Sequence, residues 1–328
     1  MMRALSFKNI GMFMVFAFCC SQVWSQQDAE YSMYMFNGLY INPAYAGSKE
    51  VVHLSALYRH KWVGVEGAPR TGSFSIHTPM KRNQYALGLT MTNDRLGLTD
   101  MNSVYLTYAY RIKAGDDTKI SLGIQGGFTH YIANNTEVNA ADPENYDPTF
   151  SVDDKLFLPN FGFGIYVYSK RYYVGLSTPH LLNNSLNDKL VLNASDNVAR
   201  QYKHYLAAAG LVIGKDEATV KFKPSVFLKY VNASPLSLDV NLSLLIKDRF
   251  WVGGSYRFAG DADNYVYGNA VIAMMEFKVT PQLMMGYAYD YNLSRLGEFN
   301  TGTHEFMVSY EFGFDKARFV TPRYFNYF

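Results

Sequence analysis

The chain is predicted to fold as an all-β transmembrane antiparallel barrel of about fourteen strands. Three observations predict it. Apolar residues alternate with small or polar ones in segment after segment. Tyrosine is in excess, 27 against 23 phenylalanines, and aromatics make up 16% of the chain. Short and long connections alternate between the segments. Barrels that cross a bilayer show all three: one greasy and one polar face, aromatic girdles, and short turns at one end with longer loops at the other. Beyond the N-terminal apolar run no stretch approaches ~18 apolar residues, so no membrane helix is expected there.

The first element is a basic leader. Arg3 and Lys8 precede the apolar run Ile10–Cys20, and Val23 and Ser25 are small residues before Gln26. This reads as a signal peptide over 1–25, cleaved after Ser25. An uncleaved anchor is disfavoured because the run is too short to span. Lipidation at Cys19 or Cys20 is disfavoured because Phe18 stands where a small residue is wanted. Both cysteines of the chain lie in this leader, so the mature chain is expected to hold no disulfide and no thiol chemistry. Without Arg3 and Lys8, 28 of the 30 basic residues remain against 28 acidic ones. That balance does not suggest nucleic-acid binding.

Residues 26–50 come next. Pro43 lacks an amide proton and biases Asn42 toward extended geometry, and Gly47 marks a turn. This segment can be neither a long helix nor an interior strand. A disordered leader with so many aromatics would be unusual. It is expected to fold back as a plug, with Tyr34, Phe36, Tyr40 and Tyr45 in the lumen and Asn42, Pro43 and Gly47 shaping the bend; a periplasmic collar is the other reading.

The barrel proper is placed at 51–314. Its segments are 51–62, 72–79, 84–93, 101–112, 119–131, 158–168, 171–178, 203–213, 219–231, 237–246, 249–258, 265–279, 283–292 and 303–314. Leu238, Val240, Leu242 and Leu244, for example, alternate with Asp239, Asn241 and Ser243. An even count suits a bacterial barrel. Connections from even to odd strands are short, at Lys81-Arg82, Gly115-Asp116, Lys170, Lys215-Asp216, Lys247-Asp248 and Pro281. The longest, 132–157 and 179–202, follow odd strands, as does 293–302. The short Asn232–Pro235 loop is the main exception. This parity puts both termini in the periplasm. A soluble β-sandwich or propeller would also alternate, but it would not explain the tyrosines or the parity.

The candidate lumen charges are Lys221, Lys223, Lys229, Asp239, Arg257, Asp290 and Glu305, with Glu311 beyond them. They would form either a polar conduit or a cross-strand ion-pair network that escapes the lipid cost of charge. The tail 315–328 is basic and aromatic. Its Arg318, Pro322, Arg323, Tyr324 and Phe325 suit a protein interface, and the terminal Phe328 suits a barrel-insertion signal. The seven histidines show no close-spaced metal pattern, and Ser75 and His77 alone do not make a triad. No catalytic residue, cofactor or metal is expected.

Several blocks carry a family resemblance. They are Tyr34-Met35-Phe36-Asn37 with Asn42-Pro43-Ala44-Tyr45-Ala46-Gly47, then Ala56-Leu57-Tyr58-Arg59, Trp62-Val63-Gly64 and Gly67-Ala68-Pro69. Gly175-Leu176-Ser177 with Pro179-His180-Leu181-Leu182, Lys223-Pro224-Ser225-Val226 and Lys229-Tyr230 follow. The series closes with Phe250-Trp251-Val252-Gly253, Ser255-Tyr256-Arg257, Tyr287-Ala288-Tyr289-Asp290-Tyr291, His304-Glu305 and Pro322-Arg323-Tyr324-Phe325. In these the chain resembles the PorP/SprF family, outer-membrane proteins of the Bacteroidetes type IX secretion system. The resemblance implies a non-enzymatic role in secretion or surface anchoring of large exported proteins such as adhesins, in systems tied to gliding motility or virulence. It implies partners among the secretion components, including periplasmic peptidoglycan-associated proteins. By a looser analogy, an Asn-Pro-Ala segment also occurs in the plug of fatty-acid transporter barrels. The alternative function is a plugged outer-membrane transport channel for small apolar or amphipathic molecules.

Overall fold

The computed structural model describes residues 31–80, 83–137, 151–185, 200–231, 236–260, 266–293 and 295–312. The leader 1–25, the tail 315–328 with its five named residues, and the Asn232–Pro235 loop lie outside the described residues.

Fourteen antiparallel strands close into one barrel. They are β1 (Val52–His60), β2 (Arg70–Met80), β3 (Tyr85–Leu96), β4 (Thr99–Lys113), β5 (Lys119–Ala133), β6 (Asp154–Tyr168) and β7 (Tyr172–Thr178). After a short ribbon, β8 (Asn184–Ser185) with β9 (Arg200–Gln201), the wall resumes. It continues through β10 (His204–Leu211), β11 (Val220–Val231), β12 (Ser237–Ile246), β13 (Phe250–Gly260), β14 (Val266–Lys278), β15 (Leu283–Asn292) and β16 (Thr303–Phe312). Each wall strand pairs with its neighbour in sequence. β1 and β16 close the ring from Val52↔Phe312 to His60↔His304.

The alternation is the barrel's cross-section. On β12, Asp239, Asn241 and Ser243 are buried inward while Leu242 and Leu244 face out. On β3 and β4, Ala86, Thr90, Thr107 and Ala109 look in, whereas Leu87, Leu106, Tyr108 and Tyr110 are exposed. Closure leaves no sheet edge to satisfy in lipid. The period-two pattern then decides which side chains meet lipid and which meet the lumen.

The turns at the end that carries residue 50 are short. At β12–β13 only Lys247, Asp248 and Arg249 join the strands; Lys247 and Asp248 both have φ of 51°, and Arg249 donates its amide to Ile246 O at 3.1 Å. At the other end one expectation needs correction. The β3–β4 connection follows an odd strand, yet it is only the pair Gly97-Leu98 between Leu96 and Thr99. Gly97 takes φ of 55° there. The strands themselves run past the predicted limits, to Leu96 and from Thr99, and absorb the loop. β5 and β6 likewise extend to Ala133 and from Asp154.

The rim at this end is zipped. Gly97 donates its amide to Gly67 O at 2.9 Å, Val63 to Gly302 O at 2.9 Å, and Thr301 to Val63 O at 2.9 Å. Three loops from β1–β2, β3–β4 and β15–β16 are thereby held as one lip.

Leu106, mid-strand and 67% exposed, tests the assignment of the outer face to lipid. Leu106→Arg should cost about 2–4 kcal/mol of folding stability in bilayers. Urea titration of folding into lipid vesicles measures it. A cost near zero would mean that this face does not meet hydrocarbon.

Candidate functional site: the occupied lumen

The lumen is occupied by the chain's own residues 31–50. The segment folds as three successive turns: a 3-10 turn at Tyr34–Phe36, a helical turn at Gly38–Ile41 and a 3-10 turn at Pro43–Tyr45. Local chemistry sets the last one. Pro43 opens it, where its missing amide is no loss. Asn42 sits extended at φ −145° and ψ 113°, as a residue before proline should. Its Oδ1 accepts the Ala44 amide at 2.9 Å and caps the turn.

The same asparagine ties the segment to the wall. Its Nδ2 donates to Ile165 O at 3.0 Å and Leu176 O at 3.4 Å, on β6 and β7. The wall makes room with glycine. A Cβ on Gly123 of β5 would overlap Pro43 and Ala44 backbone, and one on Gly164 of β6 would overlap Asn42 Oδ1. Asn42-Pro43-Ala44 therefore lies in a recess cut by two glycines. Gly47, at φ +70°, donates its amide to His77 Nδ1 at 3.1 Å and accepts from Arg111 Nη1. Lys119 then pairs with Glu50 as the chain leaves for β1.

At the other end a buried charge cluster holds Ser32 and Met33. Glu305, fully buried, accepts the amides of Ser32 at 2.9 Å and Met33 at 2.7 Å. Arg59 donates to Glu305 Oε2 at 2.6 Å and to Asp290 Oδ2 at 2.6 Å. Ser32 Oγ donates to Asp290 at 2.7 Å and accepts from Arg59 at 2.8 Å. Arg257 bridges onward, to Asp239 at 2.7 Å and to Asp290 at 3.6 Å. Register places these pairs: Arg59 lies opposite Glu305 and Arg257 opposite Asp239. The charges come together because five strands, β1, β12, β13, β15 and β16, present them to one point of the lumen, with Ser32 at its centre.

Aromatic contacts fill the space between. Tyr34 stacks on Phe227 at 4.4 Å, and its hydroxyl accepts from Asn241 Nδ2 at 2.6 Å. Burial pushes its phenol well above the ordinary tyrosine range, so it stays neutral. Phe36 and Trp251 meet edge-on at 6.4 Å, with Lys223 Nζ 5.3 and 5.0 Å from their ring centres. Tyr40 meets Tyr31 edge-on at 4.6 Å, and Tyr45 is edge-on to Tyr166 at 5.5 Å and to His77 at 5.6 Å. Asn37 exchanges hydrogen bonds with Ser73 and Ser75 on β2, and Ser177 of β7 donates to Ile41 O.

The expected lumen charges thus separate. Asp239, Arg257, Asp290 and Glu305 converge. Lys221 pairs with Asp248 at 2.6 Å near the β12–β13 turn, Lys223 lies against rings, and Lys229 lines a cavity on the outer side of the segment. Glu311 stands 3.9 Å from Lys49. Sequence reasoning missed Arg59, which links Asp290 to Glu305. Its signal was available: it shares a period-two face with His53, Ser55 and Leu57. Buried Glu276, Arg111 and the two recess glycines were also missed. Among the described residues, no group of three or more His, Cys, Asp or Glu is placed to hold a metal.

Two spaces flank the segment. One, about 970 Å³ with its open mouth, is lined by Tyr31, Tyr105, His180, His204, Phe227 and Lys229 among others. The second, about 420 Å³, lies among Tyr45, Tyr166 and Tyr173.

Fold and lumen together define an outer-membrane β-barrel that carries its own N-terminal segment as an internal filling. The chain belongs to the PorP/SprF family: the family model described as "Type IX secretion system membrane protein PorP/SprF" matches residues 23–310. It is accordingly an outer-membrane component of the type IX secretion system. Comparison with curated proteins gives no match. Among solved structures, similar ones include the Acinetobacter baumannii outer membrane protein Omp33, at 11% identity and TM-score 0.46 over 80% of this chain and 100% of that one. A Pseudomonas aeruginosa FadL homologue is similar at 11% and 0.45, over 83% and 93%. The CymD monoaromatic hydrocarbon channel is similar at 9% and 0.46, over 85% and 93%. None is similar enough to carry a functional comparison.

Two substitutions probe the filling. Arg59→Met leaves Asp290 and Glu305 facing each other with one cation fewer, and should cost about 3–5 kcal/mol. Adding Glu305→Gln should recover part of that, read by thermal unfolding of the purified barrel. Gly123→Val should cost about 1–3 kcal/mol by overfilling the recess. It should also raise maleimide labelling of a Ser32→Cys reporter, since the segment must move off the wall. Unchanged labelling would show that Asn42-Pro43-Ala44 does not depend on the recess.

Proposed function

We propose that this barrel is a non-enzymatic docking component that supports secretion or surface anchoring of large exported proteins, adhesins among them. The observation that carries the reading is the occupied lumen. A segment tied to β2, β4, β5, β6, β7, β15 and β16 crosses the lumen where a polypeptide would have to pass. A barrel filled by its own segment would serve a secretion system through its two ends.

The outer end offers a surface. The zipped rim carries exposed Val65, Leu98, Leu293 and Phe299, the last 74% exposed. Apolar side chains held on a braced lip suit contact with a protein partner. The periplasmic end offers the short turns and the tail 315–328, which we assign to secretion components, including peptidoglycan-associated ones.

The test is an affinity pull-down from native outer membranes. Full-length protein should recover periplasmic components and a surface protein. Truncation after Phe314 should lose the former and keep the latter, and Phe299→Asp the reverse. Recovery of the barrel alone from correctly inserted full-length protein would overturn the docking role.

A further inference from the structure

We propose that the wall between β7 and β10 is a binding site for a single long acyl chain, entered from the bilayer, with its anionic head held in the lumen. The evidence is a parting of the wall. Pairing of β7 with β10 runs from Tyr172↔Leu211 to Ser177↔Leu206 and stops. Beyond that rung the strands take different neighbours. Pro179 cannot donate to a ladder, and the chain turns onto β6: Leu181 donates to Phe161 O at 2.8 Å and to Asn160 Oδ1 at 2.9 Å. His204 and Tyr205 stay with β11, opposite Val231 and Tyr230.

A space lies on each side of the parting. On the lipid side is a groove of about 690 Å³, counting its open face, lined by Phe163, Ile165, Leu176, Ala207, Leu228 and Tyr230 among others. Its named walls are apolar or aromatic, with Ser177 and Thr178 at the rung. On the lumen side, Pro179, His180 and His204 line the 970 Å³ cavity. Leu206 lines both, and it lines the inner tyrosine space as well. Leu206, with Ser177 shared between the groove and the tyrosine space, is therefore the partition between bilayer and lumen. A broken ladder at membrane depth is tolerated where it borders a cavity, as it does here.

The ligand class follows from the two linings. The groove suits a hydrocarbon tail and nothing charged. Inside, the residue across from Leu206 is Lys229, buried on the adjacent strand. A head with negative charge would meet this cation on the same rung as the partition. Asp94 of β3 lines the same cavity and accepts from Thr71 Oγ1 of β2 at 2.5 Å. The wall parts at one rung only, so a single-chain, fatty-acid-type amphiphile fits the passage better than a two-chain lipid. This site does not depend on the docking role, and its loss would leave that role standing.

The test uses full-length protein and a palmitate carrying a diazirine near its methyl end. After irradiation, adducts should map to Leu176, Ala207 and Leu228, saturate with dose and be displaced by unlabelled palmitate. Lys229→Met should weaken the apparent affinity about tenfold, the loss expected for one charge-assisted contact. Ala207→Phe, which fills the groove from the lipid side, should abolish the adducts while heat-modifiable migration shows an intact barrel. Labelling that is non-saturable and equal at Leu106 and Val271 elsewhere on the lipid face would overturn the site, leaving ordinary boundary lipid. So would saturable labelling indifferent to both variants.

Discussion

Backbone that is neither helix nor ladder can lie at membrane depth only where every polar group finds a partner inside the protein. Residues 31–50 are such backbone, and the rest of the structure is arranged around that demand. Glu305 takes two consecutive amides, Asn42 gives its amide nitrogen to two wall carbonyls, and His77 and Arg111 take both backbone groups of Gly47. Each contact comes from a different stretch of wall. The segment is thus a product of the closed barrel, and it also ties together strands far apart in the ring.

The charge cluster shows why the lumen can hold ions that lipid would not. Arg59 and Arg257 face Asp239, Asp290 and Glu305, with Ser32 supplying the remaining donors. Desolvating these charges is expensive, and only dense, well-directed pairing offsets it. Such a network adds little net stability over an apolar core. Its specificity is directional: it fixes where Ser32 and Met33 must sit. The apolar Tyr34 and Phe36 contacts then supply burial around a position already chosen.

The strands were legible because their physics is local. Alternation on β12 or β3 follows from one face in lipid and one in the lumen, and any window of the sequence displays it. The outer connections were less legible, since Leu96 and Thr99 extend β3 and β4 past their apolar core into residues with no alternation signal. The site was legible by halves. The aromatic density of 33–48 and the bend at Asn42-Pro43 pointed toward the lumen, and the structure places Tyr34, Phe36, Tyr40 and Tyr45 there. Arg59 was not singled out because a lone arginine on a strand announces no partner. Gly123 and Gly164 were not, because a missing Cβ acquires meaning only when another chain lies against it.

By itself the sequence determined the strands, their inward and outward faces, their number and the family resemblance. These rest on period-two patterning, turn chemistry and short blocks of residues. Only the tertiary structure decided which charges meet, which glycines make room and where the wall parts at Ser177 and Leu206. Those depend on register between strands and on a segment crossing the ring. Residues more than two hundred positions apart, Ser32 and Glu305 for example, become neighbours only when β16 closes on β1.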